Sequence, residues 1–116
     1  MEINIDLQDD IVILSLNGNL DANASERFKS EINKLLLKNF NHIIIEMSKV
    51  AFIDSSGLGA CVNIHKTVTD KKGRLIFVEL NEAVKKIFRI TRVEQTFNIA
   101  LTKTDALKII HNGKIK

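Results

Sequence analysis

The sequence contains no proline, no tryptophan and no tyrosine, and it has one cysteine among its 116 residues. Without proline, the chain lacks the residue that most often stiffens a linker between domains. A chain of this length has room for one domain with a substantial core and too little for two. The lone cysteine, Cys61, rules out an internal disulfide framework and fits a reducing compartment.

Long apolar runs are also missing. No apolar stretch approaches the roughly 20 residues that a membrane-spanning helix requires. The chain leads from Met1-Glu2-Ile3 directly into strand-like sequence, without the basic and then apolar segments of an export signal. We therefore expect a cytoplasmic protein with no membrane span.

Positive charge is in slight excess but is not concentrated. Lys and Arg number 17 against 14 Asp and Glu, a net charge of +3, and the densest cluster is Lys71-Lys72-Gly73-Arg74. A nucleic-acid-binding surface usually combines a basic stripe with stacking or groove-reading side chains. The sequence has no such stripe, so we expect no nucleic-acid partner and interpret the cluster as solvated side chains at a turn.

What the sequence does contain is an alternation of strand-like and helix-like segments. The segment from Ile3 to Leu7 has the period of a half-exposed strand, and Ile11 to Leu16 follows closely enough to form a hairpin with it. A helix follows, for which Asn23 is the predicted cap. The nearly continuous apolar run from Ile43 to Met47 is typical of a central parallel strand that is covered on both faces.

The remaining segments repeat the strand and helix alternation to the end of the chain. The pattern predicts an α/β fold in one domain over residues 1–111: an N-terminal β-hairpin strand plus a mostly parallel sheet of about five strands, covered by about four helices. Residues 112–116 are polar and are predicted to form a flexible C-terminal tail.

One short stretch carries the candidate chemistry. Residues 52–59 read Phe-Ile-Asp-Ser-Ser-Gly-Leu-Gly and join the central strand to a helix predicted from Leu58 to about Thr69. Backbone N–H groups at a helix start lack partners and favour an oxyanion. The glycines at 57 and 59 remove side-chain bulk, so another molecule could approach the backbone closely.

Residues 53–59 resemble the signature of STAS domains, in particular of the anti-sigma factor antagonists. Residues 17–21, Asn-Gly-Asn-Leu-Asp, resemble the second motif of that family, a Gly-acidic-Leu-Asp turn. The resemblance covers nearly the whole chain and implies that the second strand ends beside the third, with Asp21 near Ser56. Two positions depart from the family: Asn19 replaces the acidic residue, and Glu46 is nearest to the place of an Asp after the third strand.

The resemblance also implies a function. Ser56 would be phosphorylated by an anti-sigma factor, a serine kinase of the GHKL ATPase type, and a metal-dependent serine phosphatase would reverse the modification. The unphosphorylated form would bind the anti-sigma factor and release a sigma factor. ATP and metal belong to those partners, so we expect no cofactor, metal or catalytic residue in this chain. The residues expected around the phosphosite and at the partner surface are Asn19, Asp21, Asp54, Ser55, Gly57 and Leu58.

Other interpretations of Ser56 stay open on the sequence. It could be an ordinary first-turn serine, since Ser55 or Asp54 could cap the helix equally well, and with the resemblance Ser55 is the predicted cap. A serine hydrolase is a further interpretation, although the stretch lacks the Gly-x-Ser-x-Gly elbow that presents many nucleophilic serines. Such an enzyme would also need a histidine or another base near the hydroxyl. The available histidines are His42, His65 and His111.

Two further alternatives concern the chain as a whole. The first is a nucleotide-binding site, but Gly57-Leu58-Gly59 is only a fragment of a dinucleotide-binding fingerprint, and the Gly and Lys-Ser/Thr residues of the Walker motif are missing. A STAS interaction subunit of a signalling or lipid-transport complex, without phosphorylation, is the remaining alternative. The sequence leaves the oligomeric state open.

Overall fold

The computed structural model describes residues 1–112. Within them the chain forms the predicted α/β domain, with a five-stranded sheet and four α-helices. The strands are β1 (Glu2–Gln8), β2 (Ile11–Asn17), β3 (His42–Lys49), β4 (Arg74–Val78) and β5 (Asn98–Ala100). The helices are α1 (Ala22–Leu37), α2 (Ser55–Asp70), α3 (Glu82–Ile90) and α4 (Lys103–His111), with a 3₁₀ turn at Val93–Gln95. Of the predicted tail, Asn112 is the residue that follows α4, and residues 113–116 lie outside the described part.

The sheet has its strands in sequence order. β1 pairs with β2 in antiparallel fashion, from Glu2 opposite Asn17 to Gln8 opposite Ile11, which confirms the predicted hairpin. β2, β3, β4 and β5 then pair in parallel. Among residues 1–112 no helix is long and apolar enough to cross a membrane.

Helices cover both faces of this sheet. α1, α2 and α3 pack on one face through a large apolar cluster, and α4 packs on the other face through a smaller one. Ile43 and Ile45 of β3 belong to the first cluster, Ile44 belongs to the second, and all three are fully buried. The continuous apolar run therefore follows from the position of β3 at the centre of the sheet.

The parallel arrangement also positions the site. β2 and β3 are parallel neighbours, so their carboxyl ends meet at one edge of the sheet. Residues 18–21 leave β2 there and lead into α1, and residues 50–54 leave β3 and lead into α2. We call these two segments the paired loops, because hydrogen bonds join them.

Candidate functional site

The paired loops are joined by a short parallel bridge. Leu20 pairs with Ile53, the Leu20 amide donates to the Phe52 carbonyl at 2.9 Å, and the Asp54 amide donates to the Leu20 carbonyl at 3.3 Å. Gly18 makes the sharp turn out of β2 with a φ of 127°, a conformation that side chains rarely adopt. The expectation that the second strand ends beside the third is confirmed, and the Asp21 loop lies against the start of α2.

An aspartate caps each of the two helices that begin here. Asp21 Oδ1 accepts from the Ala24 amide at 3.0 Å, and Asp54 Oδ1 accepts from the Gly57 amide at 2.8 Å. The predicted caps Asn23 and Ser55 are wrong, because both residues lie inside the first turn of their helices.

Because Asp54 is the cap, the second helix begins earlier than the sequence predicted. α2 begins at Ser55 rather than at Leu58, so Ser55 and Ser56 are its first two residues. Both serines are exposed. Within residues 1–112 their hydroxyl groups and amides make no hydrogen bond, as expected of the first N–H groups of a helix.

Gly57 is buried, so the prediction that it lets another molecule approach the backbone is wrong. A Cβ atom at position 57 would lie 2.2 Å from the Leu20 carbonyl oxygen and 2.8 Å from Ile53 Cγ1. The missing side chain therefore admits the neighbouring loop of the same chain, not another molecule. At Gly59, by contrast, a Cβ would meet nothing within 4 Å.

The remaining predicted residues surround the serines at different depths. Asn19 and Asp21 are exposed, while Asp54 and Leu58 are partly buried. Glu46 lies inside β3 and not after it, and its carboxylate accepts from the Ser48 amide at 2.6 Å. The paired loops thus bring Asn19 and Asp21 to the same edge as Ser55 and Ser56, and leave Glu46 on the strand.

A sequence profile of the STAS domain matches residues 2–106. This chain belongs to the STAS domain family. It is 35% identical over 101 residues to an anti-sigma factor antagonist homolog of Thermotoga neapolitana, and this match covers 86% of the present chain and 89% of that protein.

Solved structures agree with this assignment of the STAS domain. The crystal structure of an anti-sigma factor antagonist from Thermotoga maritima superimposes with a TM-score of 0.90 at 30% sequence identity. The match covers 94% of the present chain and 94% of that protein. A Bacillus cell fate determinant in its phosphorylated form shares the fold at 22% identity with a TM-score of 0.73 over 94% of this chain and 99% of that one.

The STAS domain also exposes two apolar side chains near the start of α2, which the sequence analysis did not predict to be exposed. Phe52 lies in the second of the paired loops with 51% of its surface exposed, and Val62 on α2 is 46% exposed. Val62 follows Ser55 by seven residues and Gly59 by three, so these three residues share one exposed side of α2. The available signal was that Phe52 stands next to the buried Ile53, where one of two adjacent apolar residues must face outward.

No histidine of the described STAS domain is hydrogen-bonded to Ser56. His65 is nine residues further along α2, which is roughly 13 Å at the rise of an α-helix. His42 opens β3 and His111 ends α4. The base that a nucleophilic serine requires is therefore not assembled around Ser56 from these residues.

Proposed function

We propose that this STAS domain is an anti-sigma factor antagonist and that phosphorylation of Ser56 weakens its binding to the anti-sigma factor. The unphosphorylated form binds that partner and so frees a sigma factor. In this proposal the partner is a serine kinase of the GHKL type, and a metal-dependent phosphatase restores the binding form. The chain acts in the cytoplasm as a binding module and supplies no catalytic residue.

The observation that carries the proposal is the placement of Ser56. Its hydroxyl group is exposed on the first turn of α2 and has no hydrogen-bond partner in residues 1–112, so a kinase could reach it without unfolding the helix. Ser55 is exposed as well, and the choice of Ser56 rests on its place in the motif that resembles the family signature.

The fold is expected to tolerate the added charge. Phosphate brings about −1.5 to −2 charges at neutral pH, and a helix N-terminus stabilises negative charge by roughly 0.3–1 kcal/mol. The free amides of Ser55 and Ser56 are suitable donors for phosphate oxygens. The Asp54 carboxylate opposes this with a repulsion of roughly 1–3 kcal/mol per charge at about 6 Å. Because Ser56 is exposed to solvent, the repulsion should lie at the low end of this range, so we expect phosphorylation to cost the fold about 1 kcal/mol net.

The partner would be affected more strongly than the fold. The exposed Phe52, in the loop before the serines, and Val62, two turns along α2 on the side of Ser55, provide apolar anchors, and Asn19 and Asp21 provide a polar rim. Interfaces commonly combine such an apolar centre with a polar rim. A dianion introduced at Ser56 would have to be desolvated in the complex, so binding weakens without any rearrangement of the domain.

The experiment pairs three variants with the wild type. GHKL-type kinases encoded in the same genome are incubated with the purified domain, Mg²⁺ and ATP, and intact mass is measured. We expect one phosphate on the wild type and on Ser55→Ala, and none on Ser56→Ala. Binding of the same kinases is then titrated, with Ser56→Ala expected to bind as the wild type does and Ser56→Asp more weakly.

The outcomes separate the parts of the proposal. A phosphate that persists in Ser56→Ala and disappears in Ser55→Ala would move the site to Ser55 and keep the switch. Absence of phosphate with every kinase, together with equal binding of Ser56→Ala and Ser56→Asp, would indicate a STAS interaction subunit without a phosphoswitch. Ester hydrolysis by the purified domain that is lost in Ser56→Ala would contradict the non-catalytic role.

A further inference from the structure

A polar cavity lies at the other end of α2 from Ser56. Its volume is about 310 Å³, within the range of small-molecule sites. Its lining comes from the second half of α2, the turn into β4 and the segment that leads into β5: His65, Thr69, Lys72, Gly73, Arg74, Thr96 and Asn98. Thr69 is 13 residues from Ser56, roughly 20 Å along the helix, so the cavity is separate from the proposed phosphosite.

The lining carries two permanent positive charges and no carboxylate. Arg74 is half-buried, and its Nη1 donates to the Ile110 carbonyl of α4 at 3.2 Å; a guanidinium carries five N–H donors, so others remain for a ligand. Within residues 1–112 neither Lys72 nor Arg74 forms a salt bridge, and the nearby Asp70 pairs with Lys66 at 3.6 Å. The positive charge of the cavity is therefore not neutralised by the described part of the chain.

Neutral groups complete the lining. Two hydroxyl groups, from Thr69 and Thr96, can donate hydrogen bonds. The His65 ring packs against Phe97 with centroids 5.2 Å apart, and its buried Nδ1 has no hydrogen-bond partner among the described residues. Burial lowers the pKa of His65, so the imidazole is neutral at pH 7 and offers a donor on one nitrogen.

We propose that this cavity binds the phosphate group of a small phosphorylated metabolite. The lining contains an arginine and a lysine, the residue types that recognise phosphate oxygens, and the hydroxyl groups of Thr69 and Thr96 add directional donors. The cavity volume leaves room for more than the phosphate group, which is the reason to expect an ester. Inorganic phosphate shares the same chemistry and is therefore tested beside it.

The test uses ¹H–¹⁵N amide spectra of the whole chain at constant ionic strength. The probes are glucose 6-phosphate, inorganic phosphate and, as the uncharged control, glucose. Lys72→Asn removes one charge from the lining, and asparagine tolerates the φ of 60° found at this position. The matched control is Lys71→Asn, which removes the same charge from an exposed neighbour outside the lining. Thermal unfolding confirms that both variants are folded.

We expect saturable shifts at Gly73, Arg74, Thr96 and Asn98 with glucose 6-phosphate and none with glucose. Lys72→Asn should weaken this binding about tenfold, the typical loss of one charge-assisted hydrogen bond, and Lys71→Asn less than twofold. Equal affinity for inorganic phosphate would assign the site to the free ion and overturn the ester. Equal weakening by both variants, or no shift up to about 10 mM, would overturn the site altogether.

Discussion

Gly57 of α2 and Leu20 of the first paired loop approach so closely that a Cβ atom on residue 57 would lie 2.2 Å from the Leu20 carbonyl oxygen. The same carbonyl accepts the Asp54 amide at 3.3 Å. The helix that presents Ser56 and the loop that presents Asp21 therefore hold one another in position through a backbone contact. A side chain at position 57 would have to push this contact apart.

The two glycines of α2 provide a matched test of that contact. Gly57→Ala should lower the free energy of unfolding by about 1–3 kcal/mol, because overpacking against a backbone oxygen cannot relax through a side-chain rotation. Gly59→Ala should raise it by about 0.5–1 kcal/mol, since alanine favours a helix and a Cβ there meets open space. Urea denaturation of both variants measures the difference. Equal effects would contradict the backbone contact at position 57.

The cap of α2 predicts a second difference. Asp54→Ala removes the oxygen that accepts the Gly57 amide and should cost about 1 kcal/mol of stability. Asp54→Asn keeps a side-chain oxygen in the same place and should cost only a few tenths of a kcal/mol, because asparagine is also a preferred cap. Thermal denaturation of the two variants distinguishes them. A loss as large in Asp54→Asn as in Asp54→Ala would show that charge, and not capping, is the contribution of this residue.

The exposed Phe52 gives a prediction for the proposed partner surface. Phe52→Ala should weaken binding of the anti-sigma factor by roughly tenfold or more, as expected when an aromatic anchor is truncated. Its effect on stability should be small, because about half of the side chain already contacts solvent. Leu37→Ala is the control, because Leu37 is 83% exposed but lies at the opposite end of α1 from the paired loops.

Binding is measured by titration calorimetry with the kinase that modifies Ser56. If Leu37→Ala weakened binding as much as Phe52→Ala, the partner surface would not lie at the paired loops. If neither variant changed the affinity, Phe52 would not be an anchor.

Cys61 gives a prediction about the reactivity of its thiol. Complete burial raises the pKa of its thiol from 9.0 to about 12, so the folded protein contains almost no thiolate at pH 8. Because only the thiolate is reactive, Ellman's reagent should leave the native protein unmodified at this pH and should modify one thiol per chain in guanidinium chloride. Rapid reaction of the native protein would show that the face of α2 carrying Cys61 opens to solvent.

The comparison between sequence and structure is clearest at the helix caps. Asn81 and Thr102 are residue types that favour cap positions, and they cap α3 and α4 by accepting the amides of Val84 and Asp105. At α1 the prediction chose Asn23 and the structure uses Asp21. Asp21 and Asn23 are both good cap residues two positions apart, so local preference does not separate them. The pairing of Leu20 with Ile53 selects Asp21, because it keeps the chain extended up to Leu20 and so sets where α1 can begin.

The sequence by itself determined the elements and their order. The apolar periods of the strands and helices are local properties, and they identified the hairpin, the buried central strand and the α/β class without knowledge of any distant contact. The STAS motifs likewise identified the stretch around Ser56. Only the tertiary structure decided which side chains face outward: it buried Gly57 beneath Leu20, exposed Phe52 and placed Lys72, Arg74 and Thr96 around one cavity. These relationships join residues far apart in the chain, and their geometry depends on sheet register and helix packing, which no local pattern of residues encodes.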